Sequence, residues 1–223
     1  MKQILLANWR SEISLLFAGR PQHDVTRGLS EAVHLYSLRC DDFLVIIDGM
    51  DARTDIRAPS FAQLDRYCER MAVAIVRISV RIFGETSQAG ERVAAELGRA
   101  LQLTYILRDL AEDAGLHRLY LPRELLRAHG IFATMPSWVL AQPALPSVCR
   151  DLALIAERHY AAAAEAIAAC PRWTMRPAAV TLAIYRAVLH ELVARGWRRL
   201  DEPVWIPAWR KLAVVMRHGL MGR

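Results

Sequence analysis

Lysine is nearly missing from this 223-residue chain: Lys2 and Lys211 are the only two, and the rest of its 29 basic residues are arginine. Its cationic surface is therefore built from planar guanidinium forks, which grip oxyanions two bonds at a time. The arginines are spread out, with no dense basic run, helix-turn-helix signature or aromatic-interleaved RNA motif, so the net charge of +6 gives no case for nucleic acid. Cysteine is also scarce. Cys40, Cys68, Cys149 and Cys170 form no C-x-x-C pair, which excludes a zinc ribbon or disulfide frame and predicts reduced thiols in a cytosolic protein. With 11 glycines and 10 prolines the chain is neither fibrous nor of low complexity. No uncharged apolar run reaches the ~18 residues of a membrane-spanning helix. The most apolar stretch, 71–83, is broken by Arg77 and Arg81, and Asn8, Trp9, Arg10 and Glu12 interrupt any secretory leader. A P-loop and a G-x-G-x-x-G turn are both missing, and His190-Glu191 fails as a zinc-protease motif because Ala194 holds the second histidine's place.

What is present is apolar and helical. Hydrophobic residues make up 54% of the chain and charged residues 23%, enough for one sizeable core in a single domain over 1–223. Ile4, Leu5, Trp9, Ile13, Leu16 and Phe17 keep a helical rhythm that Gly19 and Pro21 end. Further helices are expected over 25–38, 43–50, 60–83, 89–114, from Pro122 to about Gly130, 147–169 and 177–195, with a short one at the C-terminus. Ser60 is the expected N-cap of the fourth, Gly84 and Gly196 are stop signals, and a proline-punctuated connector fills 136–146. The fold class is all-α. Tyr160, Tyr185, Trp197 and Trp209 are expected to pack the core, with Trp197 also a candidate wall for a pocket.

One segment concentrates the chemistry. On a helix, Asp109 and Asp113 are one turn apart and project side by side, with Gln102 on the same stripe. Stacked like charges destabilise an isolated helix by a few tenths of a kcal/mol, so a cation is the natural complement. Mg²⁺, held by one or two carboxylates plus substrate phosphates, suits the pair. The plainer alternative is a solvated face with Arg108 pairing Glu112.

The run Leu97, Gly98, Gln102, Ile106, Arg108, Asp109, Asp113, Arg118, Tyr120 and Pro122 resembles the second aspartate-rich motif of the squalene/phytoene synthase family, the head-to-head prenyl transferases. Tyr67-Cys68 through Ala72 is similar to the family's Y-C-x-x-V-A helix. Asp48-Gly49-Met50, the Arg57-Ala58-Pro59-Ser60 turn, 79–84 and Arg195-Gly196-Trp197 look most like the hopanoid branch, which makes presqualene diphosphate from two farnesyl diphosphates. The resemblance implies a terpenoid synthase helical bundle, a prenyl diphosphate substrate and Mg²⁺ on Asp109 and Asp113. It implies catalytic roles for Tyr67, Arg108 and Tyr120. Substrate contacts would come from Gln102, Tyr105, Arg118, Val76, Trp197, Arg210 and Lys211.

There are departures. Only eight residues precede Trp9 of a W-R-x-E-I segment and none is acidic, so the family's first aspartate-rich motif is not in this sequence and impaired synthesis is expected. Tyr105 stands where the family has Asn, and Val76 where it has Gly. A phytoene synthase-like enzyme and a non-catalytic, degenerate family member acting as a prenyl-lipid binder or assembly partner are the alternatives. Without the N-terminal helices, the apolar faces of helices 60–83 and 89–114 are expected to be partly uncovered. That would favour self-association or attachment to an anionic membrane surface from the cytoplasmic side.

Overall fold

The computed structural model describes residues 2–52, 56–200, 202, 204 and 207. Among them there is no strand, only a single bridge between Arg57 and Leu119. The helices run α1 (Lys2–Phe17), α2 (Asp24–Leu35), α3 (Cys40–Ala52), α4 (Phe61–Cys68), a π turn (Glu69–Val73), α5 (Ala74–Ile82), α6 (Gln88–Arg108), α7 (Leu110–Gly115), α8 (Arg123–Ala128), α9 (Pro136–Leu140), α10 (Leu145–Ala168) and α11 (Arg172–Arg195). The stretch 43–50, apolar enough to pass for a strand, is helix as expected.

Helix α6 is the axis of the main core. Val93, Ala94, Leu97, Ala100, Leu101, Thr104 and Leu107 recur at helical spacing and are all buried. Helix α10 covers them with Val148, Cys149, Leu152, Ala156, Tyr160 and Ala163, and α11 adds Leu182, Leu189 and Leu192. Tyr160 is fully enclosed, and its hydroxyl is 2.9 Å from Thr104 Oγ1, so the aromatic anchor carries no unpaired polar atom. Leu6, Ile13, Leu16, Val33, Leu38 and Ile47 form a second, smaller cluster where α1, α2 and α3 meet.

The boundaries obey local chemistry. Ser60 caps α4 with a reciprocal box: Gln63 N donates to Ser60 Oγ at 3.2 Å, and Ser60 N donates to Gln63 Oε1 at 2.8 Å. Gly84 at φ 93° and Gly196 at φ 71° take the left-handed conformation that ends α5 and α11.

Four sequence expectations need correction. The helix over 60–83 is not regular, because the π turn inserts one residue and rotates α5 by ~100° relative to α4. The helix over 89–114 breaks at Asp109, whose ψ of 19° leaves the helical range. The connector 136–146 contains α9, with Pro136 in the first turn where its missing N–H costs nothing. Helix α11 begins at Arg172, before Pro177, which lies inside it with its ring exposed to solvent. Residues 208–223, with Trp209 and the expected C-terminal helix, lie outside the described residues.

Helix α11 is long and apolar enough to cross a bilayer by length and composition. The core helix of a folded domain passes the same test, and α11 buries Met175, Ala178, Leu182, Val188, Leu189 and Leu192. Of the two faces expected to be uncovered, α6 is in fact covered by α5 and α10, while α5 leaves Ile75 and Ile82 exposed.

Candidate active site

The polar end of α6 carries the residues singled out by spacing. Gln102 and Tyr105 are half-buried there. Tyr105 sets its ring edge-on to Tyr185 at 5.2 Å, and the Arg108 guanidinium lies 4.9 Å above the Tyr105 ring. Burial, and then the Tyr185 hydroxyl, push the Tyr105 phenol above its ordinary range. Arg108 donates Nε to Asp109 Oδ1 at 2.6 Å and Nη2 to Oδ2 at 2.8 Å, a bidentate grip on its own neighbour rather than on Glu112. The Asp109 hydrogen bonds are also the main reason the Arg108 pKa is raised.

Asp113 stays one turn from Asp109, since its N–H donates to the Asp109 carbonyl at 2.9 Å across the break. The chain then reverses at His117, a non-glycine residue at φ 58°, and Arg118 N returns to the Asp113 carbonyl at 2.8 Å. A second turn lies alongside, with Ala58 at φ 49°. Ala58 N donates to the Leu119 carbonyl and Leu119 N to the Ile56 carbonyl, both at 2.9 Å. These bonds stitch the 56–60 turn to the strand-like 118–120 segment and set Tyr120 beneath Tyr67, the two rings stacked at 4.7 Å and 22°. Tyr120 is 3% exposed and its hydroxyl has no hydrogen-bond partner among the described residues. An unpaired buried hydroxyl costs on the order of 1–3 kcal/mol, a cost commonly retained at a site of chemistry.

Val76 is half-buried against the main core. Trp197 is enclosed there too, and its indole N–H donates to the Leu107 carbonyl at 3.0 Å. That carbonyl is left without a helical partner by the break at Asp109, so Trp197 ties down the end of α6. Arg210 and Lys211 lie outside the described residues. Among the described residues no group of three His, Cys, Asp or Glu could hold a metal by itself. Asp109 and Asp113 supply a two-carboxylate set, which fits Mg²⁺ only in its usual manner, with substrate phosphate oxygens completing the shell.

Gly98, one of the motif glycines, has a steric reason. A Cβ there would stand 2.6 Å from Val73 Cα and 2.8 Å from Val73 N, so α6 and the π turn touch backbone to backbone. Sequence reasoning gave no role to Arg66, Arg70 and Arg123, which line a cavity beside Tyr67 together with Arg57. Their signal was the spacing of Gln63, Arg66, Tyr67 and Arg70, one face of a helix.

The family model described as squalene/phytoene synthase matches residues 1–211. The chain belongs to the squalene/phytoene synthase family. It is 43% identical over 218 residues to a presqualene diphosphate synthase of Sinorhizobium fredii, covering 97% of this chain and 78% of that protein. A presqualene diphosphate synthase of Zymomonas mobilis is 45% identical over 205 residues, covering 91% and 69%. A phytoene synthase of Thermus thermophilus is more distant, 30% identical over 223 residues, covering 98% and 75%. Among solved structures, a squalene synthase from Alicyclobacillus acidocaldarius superposes with a TM-score of 0.80 at 20% identity, covering 91% of this chain and 76% of that one. A dehydrosqualene synthase in complex with ligand gives 0.81 at 23%, covering 96% and 76%. The fold is the helical terpenoid synthase bundle.

Proposed function

We propose that the chain is a prenyl transferase of the presqualene diphosphate synthase type, joining two farnesyl diphosphates head to head. The observation that carries this reading is the turn at the end of α6, where Arg108 grips Asp109, Asp113 follows one turn on and the Arg118 N–H returns to the Asp113 carbonyl, in a family member 43–45% identical to presqualene diphosphate synthases. Mg²⁺ held by Asp109 and Asp113 would supply charge neutralisation for the departing diphosphate. Arg108, once released from Asp109, and Arg118 take its remaining charge. The C1–O bond of one substrate breaks and the electron pair leaves with the diphosphate. The 2,3 double bond of the second substrate then attacks C1, and loss of a proton closes the cyclopropane. The stacked faces of Tyr67 and Tyr120 favour the cation. Tyr120, whose hydroxyl has no partner among the described residues, passes the proton toward the diphosphate.

The test is calorimetric titration with farnesyl thiolodiphosphate, a slowly reacting analogue, with and without Mg²⁺. Mg²⁺-dependent binding that Asp109→Asn weakens by roughly tenfold or more is expected, as for loss of one electrostatic contact. Equal binding by wild type and Asp109→Asn would remove the carboxylate turn from the function.

Farnesyl tails are insoluble in water, and we place the chain at the cytoplasmic face of a membrane. Supporting this, Phe132 (78% exposed), Met135 and Trp138 (66%) stand out of the surface next to α8, which carries exposed Arg123 and Arg127. The protein should sediment with phosphatidylglycerol vesicles at low salt, and less so as Trp138→Ser. A monomer that ignores vesicles would contradict this placement.

A further inference from the structure

Beside Tyr67 lies an open cavity of about 270 Å³ lined by Arg57, Gln63, Arg66, Tyr67, Arg70 and Arg123, with neither Asp109 nor Asp113 in its wall. At ~30 Å³ per water it has room for roughly nine waters, enough for a diphosphate group with part of its hydration. Among the described residues no acidic residue lines it. The acids next to these arginines in sequence are engaged elsewhere. Asp65, just before Arg66, accepts from Arg99 at 2.6 Å. Glu69, just before Arg70, accepts from Arg77 at 2.8 Å. Glu124, just after Arg123, accepts the Phe61 N–H at 3.2 Å. Among the described residues Arg57, Arg66 and Arg70 form no ion pair, whereas Arg77, Arg81, Arg99, Arg108 and Arg186 all do. The Arg123 guanidinium makes a neutral contact, Nη2 to Gln63 Oε1 at 2.7 Å, and no ion pair among the described residues. Arg66 and Arg70 are also one turn apart, where like charges repel.

We infer that this cavity is a metal-independent oxyanion site for a diphosphate group, distinct from the carboxylate turn. Four guanidiniums, with no carboxylate beside them among the described residues, match the several charges of a diphosphate and its fan of acceptor oxygens. The site sits on rigid elements: α4, fixed by its capping box, the π turn, fixed against Gly98, and the 56–60 turn, fixed by its two bonds to Leu119. In a reaction that consumes two diphosphate esters and releases one diphosphate, such a pocket holds a head group that the carboxylates do not. This last assignment rests on the transferase reading, while the binding itself does not.

The experiment is titration of the full chain with inorganic diphosphate in EDTA, which silences the carboxylate turn. Saturable binding is expected. It should weaken by roughly tenfold or more in Arg66→Gln/Arg70→Gln, recover in part in Arg66→Lys/Arg70→Lys, and be unchanged in Asp109→Asn. No binding in EDTA, or equal binding by the glutamine variant, overturns the proposal. A parallel arm with phosphatidylglycerol vesicles separates the sources of phosphate. If the glutamine variant loses vesicle binding but keeps diphosphate binding, the arginines serve a lipid headgroup and the proposal fails. Arg57→Gln, at an exposed turn position, provides a second variant should the double change alter the melting temperature. Failure of Mg²⁺-dependent analogue binding would sink the transferase reading and leave this site standing.

Discussion

Arg70 and Arg77 are near neighbours on the same continuous helical stretch, yet they belong to opposite kinds of arginine cluster. Arg77 is saturated: Nη1 meets Asp42 at 2.7 Å, Nη2 meets Glu69 at 2.8 Å and Nε meets Glu91 at 2.9 Å. Arg81 joins the same group through Glu91 at 2.7 Å and the Ser37 carbonyl at 3.1 Å. Burial alone would lower the Arg77 pKa, but hydrogen bonds to Glu69 and Asp42 outweigh it and the pKa is raised. Arg70, with Arg57, Arg66 and Arg123, faces a cavity with no carboxylate among the described residues. The π turn divides the two. Its first residue, Glu69, serves the saturated cluster, and its second, Arg70, serves the open one. Arginine count alone therefore says little, whereas the direction of neighbouring acids separates a structural guanidinium from one reserved for a ligand.

The largest expected effect comes from breaking the saturated side. Arg77→Met leaves Asp42, 4% exposed, without its cation. Removing one partner of a buried pair costs about 3–5 kcal/mol. For a chain of this size that lowers the melting temperature by about 10 °C or more. Scanning calorimetry on this variant and on Arg66→Gln/Arg70→Gln sharpens the contrast, since the latter should stay within ~0.5 kcal/mol of wild type. Equal losses in both would erase the distinction between the clusters.

Gly98→Ala comes next. The new Cβ would press on Val73 backbone, which cannot rotate away, and forced overpacking costs about 1–3 kcal/mol. Because the π turn carries both Glu69 and Arg70, this change should lower stability in urea titrations and weaken diphosphate binding together. Loss of only one would show that the turn does not couple the clusters.

The smallest effect is on pH. The Arg99 hydrogen bond holds the Asp65 carboxyl below its ordinary value of 3.8. A lowered folded-state pKa gives stability that is present above 3.8 and lost as pH falls through the folded value. Asp65→Asn should therefore be slightly less stable than wild type above about pH 4 and converge with it as the pH falls, which flattens the acid limb of the stability curve. A curve for the variant that runs parallel to wild type down to acid pH would show the pair to be without weight.

Much of this was legible in the chain. The 3.6-residue rhythm of Val93, Leu97, Ala100, Leu101 and Thr104 specifies the central helix, and the Ser60–Gln63 box and Gly84 mark the ends of their segments. The DxxxD spacing and its surrounding motif led to the carboxylate turn. What stayed hidden depends on tertiary contact. The π turn has no local sequence mark and is visible only once Val73 meets Gly98. The break at Asp109 could not be read from helix propensity, because Arg108 grips it from the side and Trp197, far along the chain, takes the Leu107 carbonyl. The arginine cavity was invisible because sequence shows Asp65, Glu69 and Glu124 beside the arginines, and not where those acids point.

The most direct check of the transferase reading is a crystal structure of the chain grown with Mn²⁺ and farnesyl thiolodiphosphate, using the anomalous signal of the metal. The expected result is a metal peak shared by Asp109 and Asp113 and the diphosphate oxygens, with Arg108 turned from Asp109 onto the diphosphate. An analogue bound with no metal at those carboxylates, and Arg108 still gripping Asp109, would contradict it.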